Sequence, residues 1–499
     1  MSALFCRSTL RTLIRSTYVR PGSRRSAVRT LSSTTGGEPQ QSTTTEDSAP
    51  PPPEETWEDD MSQDFYDIIV SGGGMVGAAM ALALGSDPCL MGRRILMLDG
   101  GPRRVLTQVP DRFSSRVCSL TPGTVQLLQD IGAWDYINKM RVRPYKRMQV
   151  WDACSDAMIT FDRDDLNEDI AHIVENDVIL SGLMQQLDAM RGLVDVMFDT
   201  RVKGYKLPSK AADGEDSPWA RVILEDGRVL DTRLLIGADG PKSLLRQTAN
   251  IRQLSWSYSQ AGVVATLKLS EPTVNNVAWQ RFLPTGPIAM LPLSETHSNL
   301  VWSTTTEDAE TLLKMQADEF VEAVNSAFWQ DYKREAAVDS AVQTVQSILS
   351  AISPGGTSAR QLPPSVSDVD EDSRAMFPLG LGHATQYVKH RMAIIGDAAH
   401  RVHPMAGQGV NLGFGDVSCL RQVVSEAEAT GEDIGSVDRL LEFETKRQQA
   451  VIPMMAAIEG LHRLYSSDNP ALVLLRSVGL QFTNAIKPLK NEIMGFASK

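Results

Sequence analysis

The sequence predicts an α/β fold: a sheet of β-α-β units, interleaved with a second, mixed β-sheet and closed by a helical C-terminus. Three features predict it. The apolar runs Ile68-Ile69-Val70 and Ile95-Leu96-Met97-Leu98 flank a glycine cluster and the small residues Ala78, Ala79, Ala81 and Ala83, the pattern of strand, helix and parallel strand. Two later apolar runs, at 234–236 and 393–395, also end in glycine-rich turns. Shorter segments at 148–151, 221–224, 263–269, 288–291 and 300–303 lack regular alternation with helices and read as the mixed or antiparallel second layer.

From the N-terminus, residues 1–37 carry seven arginines, many serines and no acid, with Leu10, Leu13 and Ile14 spaced among them. This is the pattern of a mitochondrial presequence, a disordered basic tail being the alternative. Residues 38–62 turn to Gln, Ser, Thr, Pro and acids and read as a disordered linker. The whole chain of 499 residues has a formal charge of −12, so the part beyond the leader stands at −19. Such an acidic body repels a phosphate backbone, which argues against nucleic-acid binding. No run reaches 18 consecutive apolar residues, so membrane contact is expected to be peripheral. The five cysteines include no CxxC pair and read as reduced, packed thiols.

Residues 353–374 are rich in Pro, Gly, Ser and Asp without a hydrophobic period and read as an exposed, flexible insertion. Beyond Gly415 the chain is predicted helical to its end, with a break near 466–470. The apolar stripes within 451–464 and 471–480 are expected to be core packing rather than a membrane or partner surface.

Three segments carry chemistry. The first, Gly72-Gly73-Gly74-Met75-Val76-Gly77, satisfies GxGxxG directly after a strand and before an alanine-rich helix. Its glycines permit a tight turn and close approach to a pyrophosphate seated on the helix N-terminus, in a Rossmann-like unit. Asp99, at the end of the next strand, is placed to accept hydrogen bonds from an adenosine ribose. This motif alone does not separate NAD from FAD.

The second segment, LLIGADGPKSLLR at 234–246, is an apolar strand ending in GADG and opening a helix. Here the chain resembles the flavoprotein hydroxylases, whose GADG-x-x-S-x-x-R segment lies beside the dinucleotide; an Asp-Gly turn between strand and helix is the alternative. The third, AIIGDAAHRVHPMAGQGVNLG at 393–413, again reads strand, turn, helix. The resemblance implies FAD as cofactor. It places Asp239 beside the dinucleotide, brings Gly396 and Asp397 of GDAAH to the ribityl hydroxyls, and sets the backbone from Pro404 onward against the isoalloxazine ring. A helix beginning near Gly409 would aim amides of Gly407, Gln408, Gly409, Val410 and Asn411 at the flavin, stabilising the negative charge of its reduced form.

Arg116 in SSRVCSL matches the family's flavin-reaching arginine, and Asn176 in VENDVIL matches an amide position of relatives; a solvated Arg and a helix-capping Asn are the alternatives. His400 and His403 lack a third ligand and read as capping and packing residues, so no metal is expected. No nucleophile or acid–base pair is nominated, and catalytic residues stay unassigned. Only one GxGxxG occurs, so the reductant must dock transiently or be a partner protein. No WxWxIP segment is present, unlike the related halogenases.

The stretches QRFLPTGPIAMLPL at 280–293, HPMAGQGVNLGFGD at 403–416 and LRSVGLQFTNAIKPLK at 475–490 resemble the ubiquinone-biosynthesis hydroxylases. The resemblance implies the class A flavoprotein monooxygenase architecture. An FAD-binding domain would comprise 63–145, 170–248 and 385–445, and a substrate-binding sheet domain 146–169 and 249–384, followed by a helical region at 446–499. It implies hydroxylation by O2 at ring carbon C5 of a 4-hydroxy-3-polyprenylbenzoate-type precursor. Electrons would come from ferredoxin and its reductase or from NAD(P)H, with other ubiquinone-biosynthesis proteins as partners, at the matrix face of the inner mitochondrial membrane. The insertion at 353–374 and residues 86–92 depart from the family pattern. Another lipid-like substrate, or a non-catalytic flavin-fold scaffold, remain the alternatives.

Overall fold

In a computed structural model the described residues are 64–162, 168–208, 218–330, 332, 340–345, 347 and 361–497. The expected leader, the linker and residues 353–360 of the insertion lie outside them. The first sheet has a parallel spine in the spatial order Met392–Ile394, Val229–Gly237, Phe65–Ser71, Ile95–Leu98, Asp195–Met197. Every residue of Phe65–Ser71 and Ile95–Leu98 is buried, which is why these strands read as unbroken apolar runs rather than alternating ones. Helices Met75–Gly85, Asn176–Ala189 and Gly409–Ala429 contribute to the same core. The alanines of the first lie flush between strand and neighbouring helices, Ala78, Ala79, Ala81 and Ala83 having no exposed surface.

The segment at 221–224 corrects one expectation. It belongs to this first sheet, not to the second layer: Ala220–Leu224 pairs antiparallel with Val229–Gly237 and with Val202–Lys206. The reversal at Asp226-Gly227, with Gly227 at φ +92°, folds it straight back onto its neighbour, so local turn chemistry decides its partner.

The second sheet runs His400–Arg401, Ala375–Ala384, Gln253–Leu269, His297–Thr305, Gly286–Pro292, Val277–Leu283, Arg147–Asp152, Met158–Asp162. It is mixed because Val277–Leu283 and Arg147–Asp152 run parallel while its other pairs are antiparallel. One face packs on helices Thr306–Lys314 and Ala317–Trp329 through Trp151, Trp279, Val263, Leu312 and Phe320. A small third sheet joins Val117–Leu120, Ala171–Glu175 and Val142–Tyr145.

Part of the expected flexible insertion is ordered. Val366–Val369 pairs with Gln253–Leu269, burying Val366 and Val369, while the Asn325 side chain exchanges two hydrogen bonds with the Val366 backbone at 2.9 and 3.0 Å. Two valines three apart are too short a signal for hydrophobic periodicity, and the pairing partner is about 100 residues away. Residues 86–92 also acquire a role. Asp87 is buried, accepts from Cys89 N at 3.0 Å, and binds Arg421 and Ser425 at 3.0 Å each, clamping this turn to helix Gly409–Ala429.

The C-terminal helices are Gly409–Ala429, Val437–Tyr465, Pro470–Ala485 and Lys487–Ala497, with the expected break at 466–469. The boundary drawn at 446 falls inside the continuous helix Val437–Tyr465. The stripe in 451–464 does enter a core, through Val451, Met454, Met455 and Ile458. Helix Pro470–Ala485 follows that expectation only in part: Val473, Leu474 and Leu480 pack into small clusters, but its other buried residues are Arg476, Ser477 and Gln481, while Leu475 and Phe482 are exposed. A buried acid on the mixed sheet dictates this. Asp152 receives Arg476 Nε at 2.8 Å and Nη2 at 3.0 Å, a bidentate pair with both side chains essentially out of water.

Removing one partner strands the other charge. Arg476→Met is therefore expected to lower unfolding free energy by about 3 kcal/mol, measured by urea denaturation, with Asp152→Asn less severe because its amide stays polar.

Candidate flavin site

The parallel strands ending at Ser71, Gly237 and Ile394 are spatial neighbours, so their carboxyl ends deliver all three glycine-rich turns to one edge of the sheet. This is where open α/β sheets bind ligands. Gly72 has φ +114°, and a Cβ there would strike the Ala238 carbonyl, so only glycine fits. Ala238 N donates to Ser71 O at 2.8 Å, joining the first and second segments as they leave the sheet.

Gly73 N donates to Asp99 Oδ2 at 2.7 Å and Gly101 N to Asp99 Oδ1 at 2.6 Å. Asp99 thus holds the glycine loop as well as standing at the expected ribose position, each oxygen keeping a lone pair. Gly74 caps helix Met75–Gly85, and a Cβ there would meet nothing within 4 Å. The helix N-terminus, with its unsatisfied amides, therefore opens onto free space of the kind a pyrophosphate needs.

The third segment closes on the first at Val76. A Cβ added to Gly413 would lie 2.7 Å from Val76 Cγ2, and one on Gly396 3.3 Å from Val76 Cγ1. The second segment is stitched to the third by Arg246, which donates to Ala398 O and Pro241 O at 2.7 Å each. Asp239 Oδ2 accepts Leu244 N at 2.7 Å and Leu245 N at 3.2 Å, while its Oδ1 is buried and finds no partner among the described residues. That orphaned acceptor fits a missing hydroxyl donor.

Asp416 organises the third segment. Its Oδ2 accepts Gly396 N at 2.8 Å and binds His400 Nε2 at 2.7 Å, and its Oδ1 accepts Arg447 Nε at 2.6 Å. Burial alone would push this carboxyl up, but His400, Arg447 and the Gly396 amide hold it below the usual carboxylate range. Neither Asp416 nor Arg447 was singled out from sequence. His400 is thus a tethered packing residue, and His403 a cap, its Nδ1 accepting Met405 N at 3.1 Å. Among the described residues no cluster of His, Cys, Asp or Glu could hold a metal.

From Pro404 a single 3-10 turn leads to Gly407, at φ +61°, and then to helix Gly409–Ala429. The first amide bonded back within that helix is Leu412 N, to Gln408 O at 2.9 Å, so the amides of Gly409, Val410 and Asn411 form its open end. The Asn411 side chain is committed to the protein: Oδ1 accepts Thr124 Oγ1 at 2.8 Å and Thr121 N at 3.2 Å, and Nδ2 donates to Ser119 O at 2.8 Å. Only its backbone is available to a ligand.

Asp397 reaches the open cleft, yet desolvation by surrounding protein raises its carboxyl above the usual range against the pull of His400 and Arg401. Close to it lies Cys118, whose thiol donates to Asn176 Oδ1 at 2.9 Å and is pushed by burial up to about 12, so it stays protonated. Asn176 follows the cap residue Glu175 rather than capping the helix itself. Glu175 in turn binds Arg141 and Ser114 N, at 2.6 Å each, fixing the loop that presents the exposed Arg116.

Comparison with known proteins gives concordant results. The family described as FAD binding domain matches residues 66–347 and 360–456. The mitochondrial ubiquinone biosynthesis monooxygenase COQ6 of Danio rerio is 56% identical over 436 residues, 87% of this chain and 90% of that protein. The human protein of the same name is 54% identical, over 87% of this chain and 92% of its own length. Among solved structures, p-nitrophenol 4-monooxygenase from Pseudomonas putida DLL-E4 superposes with a TM-score of 0.61 at 16% identity, covering 86% of this chain and 97% of that one, a likeness of fold.

The two glycine positions separate ligand space from packing. Gly74→Val is expected to cost at most about 1 kcal/mol of stability while cutting bound flavin more than tenfold, read from the absorbance-to-protein ratio. Gly413→Val is expected to destabilise the fold itself by about 2 kcal/mol through its clash with Val76.

His403 generates a pH dependence. Burial, with His462 beside it, depresses its pKa to about 4, and with Nδ1 accepting Met405 N the ring cannot take a second proton without losing that bond. The unfolded chain binds this proton below about 6.5 and the folded one does not, so stability is present at neutral pH and falls on acidification. Between pH 6.5 and 5.5 His403 should contribute a loss of about 1 kcal/mol. His403→Asn, whose Oδ1 can take over the Met405 bond, should flatten that slope in urea titrations.

Proposed function

The chain belongs to the FAD-dependent monooxygenase family of ubiquinone biosynthesis, and we propose that within it this protein hydroxylates ring carbon C5 of a 4-hydroxy-3-polyprenylbenzoate-type precursor. The observation that carries the reading is the convergence of the three turns, the third meeting the first at Val76 and the second meeting it at Gly72 and Gly77, with free space at Gly74 and an open helix end at Gly409. When bound, reduced FAD supplies the two electrons that activate O2, one oxygen atom entering the ring and the other leaving as water.

The protein's own share is orientation and electrostatics. Gly72, Gly74, Met75, Val76 and Gly77 would hold the pyrophosphate, Asp99 the ribose, and Asp239, Gly396 and Asp397 the middle of the cofactor. Pro404, Gly407, Gln408 and the amides of Gly409, Val410 and Asn411 would face the isoalloxazine ring, where the helix end favours negative charge. Arg116 and Asn176 would approach it from the strand side. Residues 63–145, 170–248 and 385–445 would bind FAD and residues 146–169 and 249–384 the substrate. Membership of the two large sheets supports this division, with His400–Arg401 crossing between them.

Ferredoxin with its reductase, or NAD(P)H, would deliver the electrons. The site would work peripherally on the matrix face of the inner mitochondrial membrane beside other ubiquinone-biosynthesis proteins. No described helix is long and apolar enough to cross a membrane.

The test supplies the purified FAD-loaded chain with O2, a short-tailed 4-hydroxy-3-polyprenylbenzoate and either donor. One oxygen added at C5, in a ratio near one product per two electrons, is expected. Oxygen at another ring position, or peroxide alone with both donors, would overturn the C5 assignment.

A further inference from the structure

The face of the mixed sheet turned away from helices Thr306–Lys314 and Ala317–Trp329 is packed along two of its cross-strand rows and only partly covered along the one between them, where Ala289 and Val301 are half-buried and Val264 is buried. In the first row, Ala278 and Leu291 pack with Phe113, Val117 and Tyr145. Further along it, Asn299 donates to Ser115 O at 2.9 Å and Thr266 to Phe113 O at 3.3 Å. At the other side, Phe282 packs with Met405 and stacks on Tyr465 at 3.9 Å, and Phe377 stands over Gly262. Between them the register sets Gln280 opposite Ala289, Ala289 opposite Val301, Val301 opposite Val264 and Val264 opposite Ala375.

That middle row is unlike its neighbours. Ala289 and Val301 are half-buried in the centre of strands that are otherwise nearly all buried, and with Val264 they enter none of the hydrophobic clusters that absorb the residues around them. Gln280 is 6% exposed, its carboxamide hydrogen-bonds no described residue, and its polar atoms are not among the fully buried unpaired ones, so they open onto this row. A carboxamide that lines the row without a protein partner can exchange water for a ligand. Its position is bracketed along its own strand: Ala278 packs toward Val117, next to Arg116, and Phe282 toward Met405, two residues before Gly407. The Gln280 side chain therefore faces the gap between the two groups of residues assigned to the flavin ring.

We propose that this row is the substrate trough, with Gln280 as a specificity-determining residue. Its carboxamide hydrogen-bonds a polar substituent of the aromatic ring, and Ala289, Val301 and Val264 bed the apolar tail toward the exposed strand edge at Ala375. The inference rests on the proposed substrate class and deepens it. Four strand spacings, about 19 Å, separate Gln280 from Ala375, enough for a tail of several isoprene units. Small side chains are what such a track requires, since a larger one at Ala289 or Val301 would fill it.

The test titrates the FAD-loaded protein with 4-hydroxybenzoate and its 3-geranyl derivative, following the flavin spectrum. In the parent protein the geranyl compound is expected to bind at least tenfold more tightly. Gln280→Leu should weaken both ligands about tenfold and leave their ratio intact, without lowering the melting temperature, because no protein hydrogen bond is lost. Ala289→Phe should weaken only the geranyl compound and collapse the ratio, and Val301→Phe should do the same if the first variant folds poorly. Unchanged affinities in Gln280→Leu, or a lower melting temperature with unchanged affinities, would refute the role of Gln280. An unchanged ratio in the phenylalanine variants would refute the trough. A parent protein that binds neither compound would overturn the substrate reading and the trough with it, a result distinct from insensitive variants.

Discussion

The buried carboxylate of Asp416 is the contact on which the rest of the site depends. It reaches the turn at Gly396, the imidazole of His400 and the guanidinium of Arg447 from a helix that begins seven residues earlier at Gly409. With no exposed surface, the charge is tolerable only because both oxygens are satisfied and two basic groups flank it. One side chain thereby sets the angle between the third strand and the helix whose amides point into the cleft. Arg447 adds a bond to Leu412 O at 3.0 Å, tying the following helix to the same point.

From that lock the structure spreads in two directions. Inward, Gly396 and Gly413 accept Val76 between them, so the first and third segments approach more closely than residues with side chains would allow. Outward, His400–Arg401 joins the mixed sheet through Ala375–Ala384, only six residues after Met392–Ile394 has left the parallel one. The short link leaves little freedom between the parallel sheet and the mixed one. Reactions that transfer an oxygen atom between two bound groups need such constraint, because efficiency falls steeply with misplacement.

The second buried ion pair, Asp152 with Arg476, does for the mixed sheet what Asp416 does for the glycine-rich turns. It holds a helix whose inner face sets Arg476, Ser477 and Gln481 beside Val473, while Leu475 and Phe482 point outward. Arg476 also donates to the carbonyls of Leu464 and Ser467, at 3.1 and 2.5 Å, closing the gap between two helices. The stacked Phe282 and Tyr465 lie beside it, so the last helices shape one side of the trough that starts at Gln280.

The sequence by itself determined what is encoded within a dozen residues: three strand–turn–helix units, the glycines at Gly72 and Gly407, the start of the helix at Gly409 and the break before Pro470. Backbone sterics and hydrophobic period act over that range, so the nature and order of the three glycine-rich segments were legible, as was the likeness to flavoprotein hydroxylases. Tertiary structure alone decided which distant groups meet. Asp416 and Arg447 are 31 residues apart and Asp152 and Arg476 are 324 apart, and neither spacing leaves a local trace. The placement of 221–224, the strand at 366–369 and the open row from Gln280 to Ala375 depend on sheet register, which only the assembled set of strands specifies. A hydrophobic pattern states that a face is buried; what buries it is settled when the chain closes on itself.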